Sequence, residues 1–293
     1  MAVGRFDGVH LGHQHLLAAG RERAGQDGIP LAVYTFPPRT EALLPLAAKR
    51  RLLAAHADEV IVRRWEEVRA TSAEAFVQRE LVGRLGARGV VIGPGHRFGA
   101  GARGDAALLG QLANRLNLSV HLVEPLRLGG TVVRGARIRD LVRAGQVEEA
   151  AGLLGRPPIV FGCPVAGAGL ATALGFPTVN LQLPPRLVPP GPGVYAAWAS
   201  WRGGSGSGLF YRGDRPTFPE LGPSAELHLF APPPERPRGT VEVALAAFLR
   251  GDQRFPNQAA LTAQLQRDRE RAQRALSGRP PPQPVLVRTN QPR

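Results

Sequence analysis

The sequence predicts an α/β plus β protein: an N-terminal doubly wound parallel sheet, then a C-terminal antiparallel β-barrel with one closing helix. Three observations carry this. The chain has 293 residues, too many for one small core and suited to two domains of roughly 100–200 residues each. Up to Leu154, short apolar runs alternate with helical stretches, the pattern of strands joined by crossover helices in a parallel sheet. Beyond Pro158 the apolar runs are broken by Gly and Pro, as short antiparallel strands require.

The elements follow in order. The apolar start, Met1 to Val3, runs into Gly4 to His13 and then an amphipathic stretch to about Ala24, which reads as strand, tight turn, helix. Leu31 to Phe36 is a strand halted by Pro37 and Pro38, and Asp58 to Val62 is another after a basic helical segment. Ser72 to Leu85 is helical, because Ala75, Phe76, Val77, Leu81, Val82 and Leu85 form one apolar face. Val90 to Ile92, ahead of Gly93-Pro94-Gly95, is a buried strand; a helix over Ala106 to Leu116 and a strand over Val120 to Val123 complete the alternation. Ligands of such sheets bind beyond the carboxyl ends of the strands, so the turns after strands are where chemistry is expected. A helix that includes Ile138 to Leu154 precedes the punctuation Leu154-Gly155-Arg156-Pro157-Pro158, which sets the expected boundary between domains 1–156 and 157–276. Gly193 to Trp201, Ala225 to Phe230 and Val241 to Phe248 read as barrel strands, and Gln258 to Leu276 as the closing helix, with Leu261, Leu265, Ala272 and Leu276 on one face. The proline-rich stretch 277–293 is expected to be a disordered tail.

Composition narrows the function classes. The 43% hydrophobic and 20% charged content is that of a chain able to bury a core. No run approaches the roughly 18 apolar residues of a membrane span, and the start lacks a signal pattern, so a cytoplasmic protein with no membrane partner is expected. The single cysteine, Cys163, excludes an internal disulfide and reads as a small buried residue. The net charge of +14 would suit a nucleic-acid binder, but it is spread along the chain and carried by arginine, Lys49 being the only lysine among 37 basic residues. Small phosphorylated substrates fit that charge as well, and no nucleic-acid partner is expected.

The segment Gly4-Arg5-Phe6-Asp7-Gly8-Val9-His10-Leu11-Gly12-His13 places two histidines where a strand turns into a helix. Backbone N–H groups and the helix dipole favour an anion there. Two imidazoles add donors for the oxygens of a nucleoside triphosphate, able to stabilise charge building on the α-phosphate during in-line attack. Gly12 would let the backbone approach the nucleotide. Two surface histidines at a helix start, or a metal site, are weaker readings of the same residues.

The string Gly4 to Gln14 resembles the HxGH motif of the nucleotidyltransferase superfamily, in the form found in the FAD synthetase module of bacterial bifunctional riboflavin kinase/FAD synthetases. The resemblance implies that His10 and His13 act on the ATP phosphates and that Gly4, Phe6, Asp7, Gly8 and Gly12 form the nucleotide turn. Tyr34-Thr35-Phe36-Pro37-Pro38 is similar to the family's second strand end; Val91-Ile92-Gly93, Arg97-Phe98-Gly99 and Arg103-Gly104-Asp105 are similar to its flavin-side loop, which implies that Arg97 and Phe98 bind substrate. Ile138-Arg139, with Gly145 and Leu153 to Arg156, resembles the closing segment, in which Arg139 would contact phosphate. The chain departs from the pattern at Arg134-Gly135-Ala136, where hydroxyl residues are usual, and at Gly95 and Arg39; it also begins almost inside the first strand, as if a few family residues were missing.

Leu174-Gly175-Phe176-Pro177-Thr178-Val179-Asn180 resembles the signature of riboflavin kinase. A hydroxyl and an amide two residues apart on an extended segment point to one side, so Thr178 and Asn180 suit Mg²⁺ and ATP phosphates as hard oxygen ligands; the resemblance implies that Gly175 and Pro177 bind ATP or flavin beside them. The downstream matches are Pro189 with Gly193-Val194-Tyr195, then Arg215-Pro216-Thr217-Phe218 and Ala225-Glu226-Leu227-His228-Leu229, with Arg250 and Arg254-Phe255 ahead of the final helix. By the resemblance, Glu226 is the general base for the riboflavin 5′-hydroxyl. Here the departures are Ala171-Thr172 and Arg236-Pro237-Arg238-Gly239. The expected activity is therefore a Mg²⁺-dependent phosphorylation of riboflavin to FMN and adenylylation of FMN to FAD, with ATP as co-substrate, by a monomer or weak homo-oligomer. A flavin- or nucleotide-binding protein that has lost one or both activities is the alternative.

Overall fold

The computed structural model describes residues 1–166, 176–214, 223–233 and 235–287. It divides into two compact units. The first holds Met1–Thr40 and Leu44–Gly135, the second Glu41–Leu43 and Ala136–Arg293.

In the first unit, five short strands, β1 (Ala2–Val3), β2 (Ala32–Thr35), β3 (Glu59–Val62), β4 (Gly89–Ile92) and β5 (Ser119–Leu122), form a parallel sheet in the order β3-β2-β1-β4-β5. β1 is central and pairs with β2 (Ala2 opposite Val33) and with β4 (Ala2 opposite Val91). The order reverses at β1, so the crevice beyond its carboxyl end is the position at which doubly wound sheets bind ligands. Buried side chains including Tyr34, Phe76, Leu81, Ile92 and Leu109 form the core around this sheet; burying one such side chain fully contributes roughly 1.5–3 kcal/mol. The helix expected over Ser72 to Leu85 begins at Ala73 with Ser72 as its cap, the hydroxyl accepting from the Ala75 N–H at 3.2 Å, and then widens into i→i+5 bonding over Phe76–Arg84. Apolar periodicity located this helix but carries no signal for its winding.

The first unit also holds a two-stranded antiparallel ribbon, β6 (Arg127–Leu128) and β7 (Thr131–Val132). The second unit has six strands, β8 (Ile159–Val165), β9 (Val179–Gln182), β10 (Gly193–Trp201), β11 (Gly204–Gly213), β12 (Ser224–Leu229) and β13 (Val241–Arg250). They close a barrel in the order β10-β11-β12-β9-β8-β13. Tyr195, Phe210, Leu227, Val243 and Leu245 fill its interior, and the helix Gln258–Leu276 packs Ala272 and Leu276 against a second apolar cluster with Val194 and Leu209. Glycine-rich Gly204–Gly213 is a full strand although its sequence alternates weakly, because pairing with β10 along its whole length fixes it.

The compact units divide at 135/136, ahead of the expected domain boundary at 156/157. Three expectations change. The single helix expected before that boundary is two, Gly135–Arg143 and Val147–Leu154, broken at Gly145 with φ 77°; Val147 joins the barrel core, which is why these helices belong to the second unit. Cys163 is exposed: it lies on the outward side of β8, and residue type alone does not reveal which side a barrel position faces. Residues 285–287 are not a free tail, since the N–H groups of Val285, Leu286 and Val287 all donate to the Glu242 carboxylate, itself only 3% exposed.

Candidate active sites

The first site is built on the turn after β1. Gly4 N–H donates to Tyr34 O at 3.0 Å, extending the β1–β2 ladder by one rung. The chain then passes through three left-handed residues, Phe6 (φ 49°), Gly8 (φ 76°) and Val9 (φ 44°). Glycine adopts such angles freely, whereas a β-branched valine there costs on the order of 1–3 kcal/mol, a strain that tends to collect at functional sites. Gln14 Nε2 donates to Val9 O at 2.9 Å and ties the turn to the helix Leu11–Gln26 that follows.

His10 caps that helix. Its carbonyl accepts from the N–H groups of His13 (2.8 Å) and Gln14 (3.0 Å), and its Nδ1 accepts from His13 N–H at 3.3 Å. With Nδ1 an acceptor, the neutral ring carries its proton on Nε2 as a donor. His13 stacks on His10 with centroids 3.5 Å apart and an 18° tilt, and Phe6 meets it edge-on at 5.2 Å. Burial, and then the nearby His10 and Lys49, hold the His13 imidazole well below the ordinary histidine range, so it is neutral at neutral pH. Its Nδ1 is buried with no hydrogen-bond partner among the described residues. Such an atom costs roughly 1–3 kcal/mol unless a ligand or water meets it, and it sits at a helix start, where an anion is favoured.

Gly12 has a reason that the sequence did not supply. A Cβ there would lie 3.2 Å from the His10 ring and 3.2 Å from Val133 O, so glycine keeps room for the imidazole. Asp7 is half-buried and its carboxylate supports the charge on Lys49. In the loop after β4, Phe98 is 8% exposed and joins the core, paired through both backbone groups with Gly104 and packed beside Phe76. Arg97 is exposed and pairs with Asp105 at 3.2 Å. Arg139 is half-buried on the helix Gly135–Arg143, in the second unit.

The barrel site gathers its expected residues more tightly. Asn180 on β9 stands opposite Glu226 on β12. Thr178, just before β9, donates its hydroxyl to Glu226 Oε2 at 3.2 Å, and Ser224 donates to Oε1 at 3.0 Å. His228 Nδ1 lies 3.0 Å from Pro177 O; a carbonyl only accepts, so Nδ1 carries the proton. The Phe176 ring is 5.2 Å from that imidazole. The donors facing one side are thus a hydroxyl, an amide and a carboxylate, all hard oxygen ligands of the kind that Mg²⁺ takes together with substrate phosphates and water. Gly175, Ala171-Thr172 and Arg215 to Phe218 lie outside the described residues. Ser224, His228 and Lys49 escaped the site reading. The solitary lysine in an arginine-rich chain was a usable signal for Lys49; a histidine two residues from Glu226, on the same strand face, was one for His228.

Comparison with known proteins finds relatives for both halves of the chain. The family model described as FAD synthetase matches residues 1–137, and that described as riboflavin kinase matches residues 154–276. The bifunctional riboflavin kinase/FMN adenylyltransferase of Haemophilus influenzae is 32% identical over 93% of this chain and 92% of its own. Those of Pseudomonas fluorescens (34%, over 91% of this chain and 89% of its own) and Bacillus subtilis (30%, over 94% and 92%) are similar. A solved Streptococcus pneumoniae structure described as a macrolide-efflux protein superposes with a TM-score of 0.82 at 26% identity over 93% of each chain; the fold is shared, and no described helix here is long and apolar enough to cross a membrane. The chain belongs to the bifunctional riboflavin kinase/FMN adenylyltransferase family and is a transferase of flavin biosynthesis, converting riboflavin to FMN and FMN to FAD.

Proposed function

We propose that the two transfers are divided between these two sites, with Glu226, Thr178 and Asn180 serving the kinase and His10 and His13 the adenylyltransferase. In the barrel, Glu226 takes the proton of the riboflavin 5′-hydroxyl as that oxygen attacks the γ-phosphorus of ATP; the bond to the bridging oxygen breaks and ADP leaves. Thr178 and Asn180 would hold Mg²⁺, which when bound neutralises charge on the phosphates. At the β1 turn, an oxygen of the FMN phosphate attacks the α-phosphorus of ATP and pyrophosphate leaves. That nucleophile is already anionic, so the site needs donors and positioning more than a base. The Nε2–H of His10 and the protonated nitrogen of His13 are such donors, and Arg97 would add positive charge on the flavin side.

The observation that carries this reading is the contact of Thr178 with Glu226 across from Asn180: two neighbouring residues of one strand segment meet a carboxylate 48 residues beyond Thr178 as one oxygen cluster. The test is to incubate the protein with riboflavin, ATP and Mg²⁺ and to resolve FMN and FAD by chromatography. His10→Ala is expected to stop FAD formation alone; Glu226→Ala is expected to stop FMN formation, and with it FAD formation from riboflavin, while still making FAD from supplied FMN. FAD made from supplied FMN at the parent rate by His10→Ala would remove the first assignment; FMN made at the parent rate by Glu226→Ala would remove the second.

A further inference from the structure

Lys49 is the one lysine of the chain, every other basic residue being arginine. It lies on the helix Leu46–Leu53 and is 3% exposed. Its ammonium donates to Arg5 O at 2.9 Å, to Thr35 Oγ1 at 3.2 Å and to Phe36 O. An ammonium has three donors, and all three are used on oxygens that close the carboxyl ends of two adjacent strands: Arg5 follows β1, and Thr35 and Phe36 end β2. None of the three acceptors carries a charge. A buried ammonium without a directly bonded carboxylate is a costly way to make a structural tie, and a neutral side chain would make a cheaper one. The cost is placed directly under the strained turn that carries His10 and His13.

We propose that Lys49 is a positioning residue for FMN adenylylation: its ammonium fastens the Arg5 carbonyl to the end of β2, fixing the Phe6–Val9 turn that presents the two imidazoles.

The geometry explains why this position holds lysine and not arginine. Three oxygens from two strand ends converge on one nitrogen, which a compact tetrahedral ammonium satisfies; a planar guanidinium spreads its donors over three nitrogens in a fixed fork and cannot. The anchor point also matters. Arg5 is the last residue before Phe6 enters the left-handed region, so the carbonyl that Lys49 holds is the one from which the turn departs. Loss of that hold frees the turn to relax its strained angles at Phe6 and Val9, and a displacement of about 1 Å at reacting groups is enough to cost on the order of a hundredfold in rate. The charge has a second effect. It lies close enough to His13 to help keep that ring neutral, which preserves a donor–acceptor imidazole in place of a second cation.

The charged groups facing Lys49 are Asp7 and Arg5 on the turn and His13 on the following helix. Burial, partly offset by Asp7 and reinforced by Arg5, brings Lys49 down to about 8. The ammonium is therefore lost as pH rises through about 8, and adenylylation is expected to decline over the same range.

The inference rests on the assignment of His10 and His13 to the adenylylation step. The test measures FAD formation from FMN and ATP, and FMN formation from riboflavin and ATP, in the same preparations of the parent, Lys49→Met, Lys49→Arg and His10→Ala. Both Lys49 variants are expected to lose about tenfold or more in kcat for FAD formation, with KM for ATP within about threefold and the kinase rate within about twofold of the parent. The parent kcat should fall between about pH 7 and about pH 9.5, and that limb should be absent in Lys49→Met. A Lys49→Met or Lys49→Arg protein that retains FAD formation within about threefold of the parent, or a parent profile that is flat over this range, overturns the inference. If Lys49→Met does not fold, the parent profile and Lys49→Arg still decide. FAD formation by His10→Ala at the parent rate would instead remove the underlying site assignment, leaving the Lys49 result readable separately.

Discussion

On the proposed assignment the two units meet the same co-substrate with different chemistry, and the difference follows from the proton on each nucleophile. The first is built around stacked imidazoles 3.5 Å apart at a helix start, groups that donate hydrogen bonds to an anion. The barrel is built around a carboxylate held by the hydroxyls of Thr178 and Ser224, a group that accepts a proton. A phosphate nucleophile brings no proton to remove, while a hydroxyl does. The sites also differ in how they are held. The barrel site is set by strand register, Asn180 opposite Glu226, whereas the first depends on a turn with two non-glycine residues at positive φ. Substitutions that test these roles should therefore separate cleanly by product.

The largest effect is expected from Glu226→Gln. The amide keeps the size of the side chain but cannot take the proton, so FMN formation should fall by roughly 10²–10⁴-fold, with FAD formation from supplied FMN unchanged. Chromatography of the two products decides it; a kinase rate near that of the parent would mean that the barrel needs no base at Glu226. Next is His13→Ala. Removing one preorganised donor to a developing oxyanion costs roughly 10²–10³-fold, here in FAD formation alone. An equal loss in both products would break the comparison, because it would mean that the two sites are not independent.

A third expectation concerns stability and sharpens the contrast between the units. His96 is brought by burial to about 4 and His13 is held well below its ordinary range, both in the first unit; in the barrel His228 is also lowered, by burial, with the Pro177 carbonyl acting in the opposite sense. A histidine with a depressed folded-state value binds its proton more readily when unfolded. The folded state thus has its full advantage above the ordinary value of 6.5 and loses it as pH falls from there through about 4 for His96. The first unit should lose stability, by on the order of 2 kcal/mol between about pH 6.5 and about pH 4, ahead of the barrel. Amide exchange followed separately in residues 1–135 and 136–287 would show it, and equal acid sensitivity in both would contradict it.

Much of this was legible in the sequence, for identifiable reasons. Elements with strong periodicity, such as Gly193–Trp201 and Gln258–Leu276, are found where the pattern put them, because burial of one face fixes their type. Thr178, Asn180 and Glu226 came together because two-residue spacing on a strand fixes a shared side and barrel closure brings the strands into register. What escaped depended on tertiary position. Phe98, expected on the substrate side, also packs into the core and pairs through its backbone with Gly104, a placement its sequence does not reveal. Gly12 serves the His10 ring as well as any ligand, which only the packed turn reveals. Glu242 binds the backbone of residues 285–287, a contact across more than forty residues that composition reads as a loose proline-rich end.

The smallest expected effect tests whether the barrel site also has a held backbone, as the first site does. His228 donates from Nδ1 to Pro177 O at 3.0 Å, directly before Thr178, and its ring packs on Phe176. It touches the peptide that carries Thr178. His228→Phe keeps the aromatic packing and removes one neutral hydrogen bond, worth roughly 0.5–1.5 kcal/mol. That corresponds to a fall of roughly two- to thirteenfold in kcat/KM for riboflavin phosphorylation. Because the bond positions a phosphate-side residue, the loss should appear chiefly as a raised KM for ATP, whereas Glu226→Gln acts on kcat. His228→Phe with an unchanged KM and a reduced kcat would move His228 from the backbone side of the site to the chemistry itself, and the contrast between a turn-held and a register-held site would then have to be redrawn around a second proton-transfer group in the barrel.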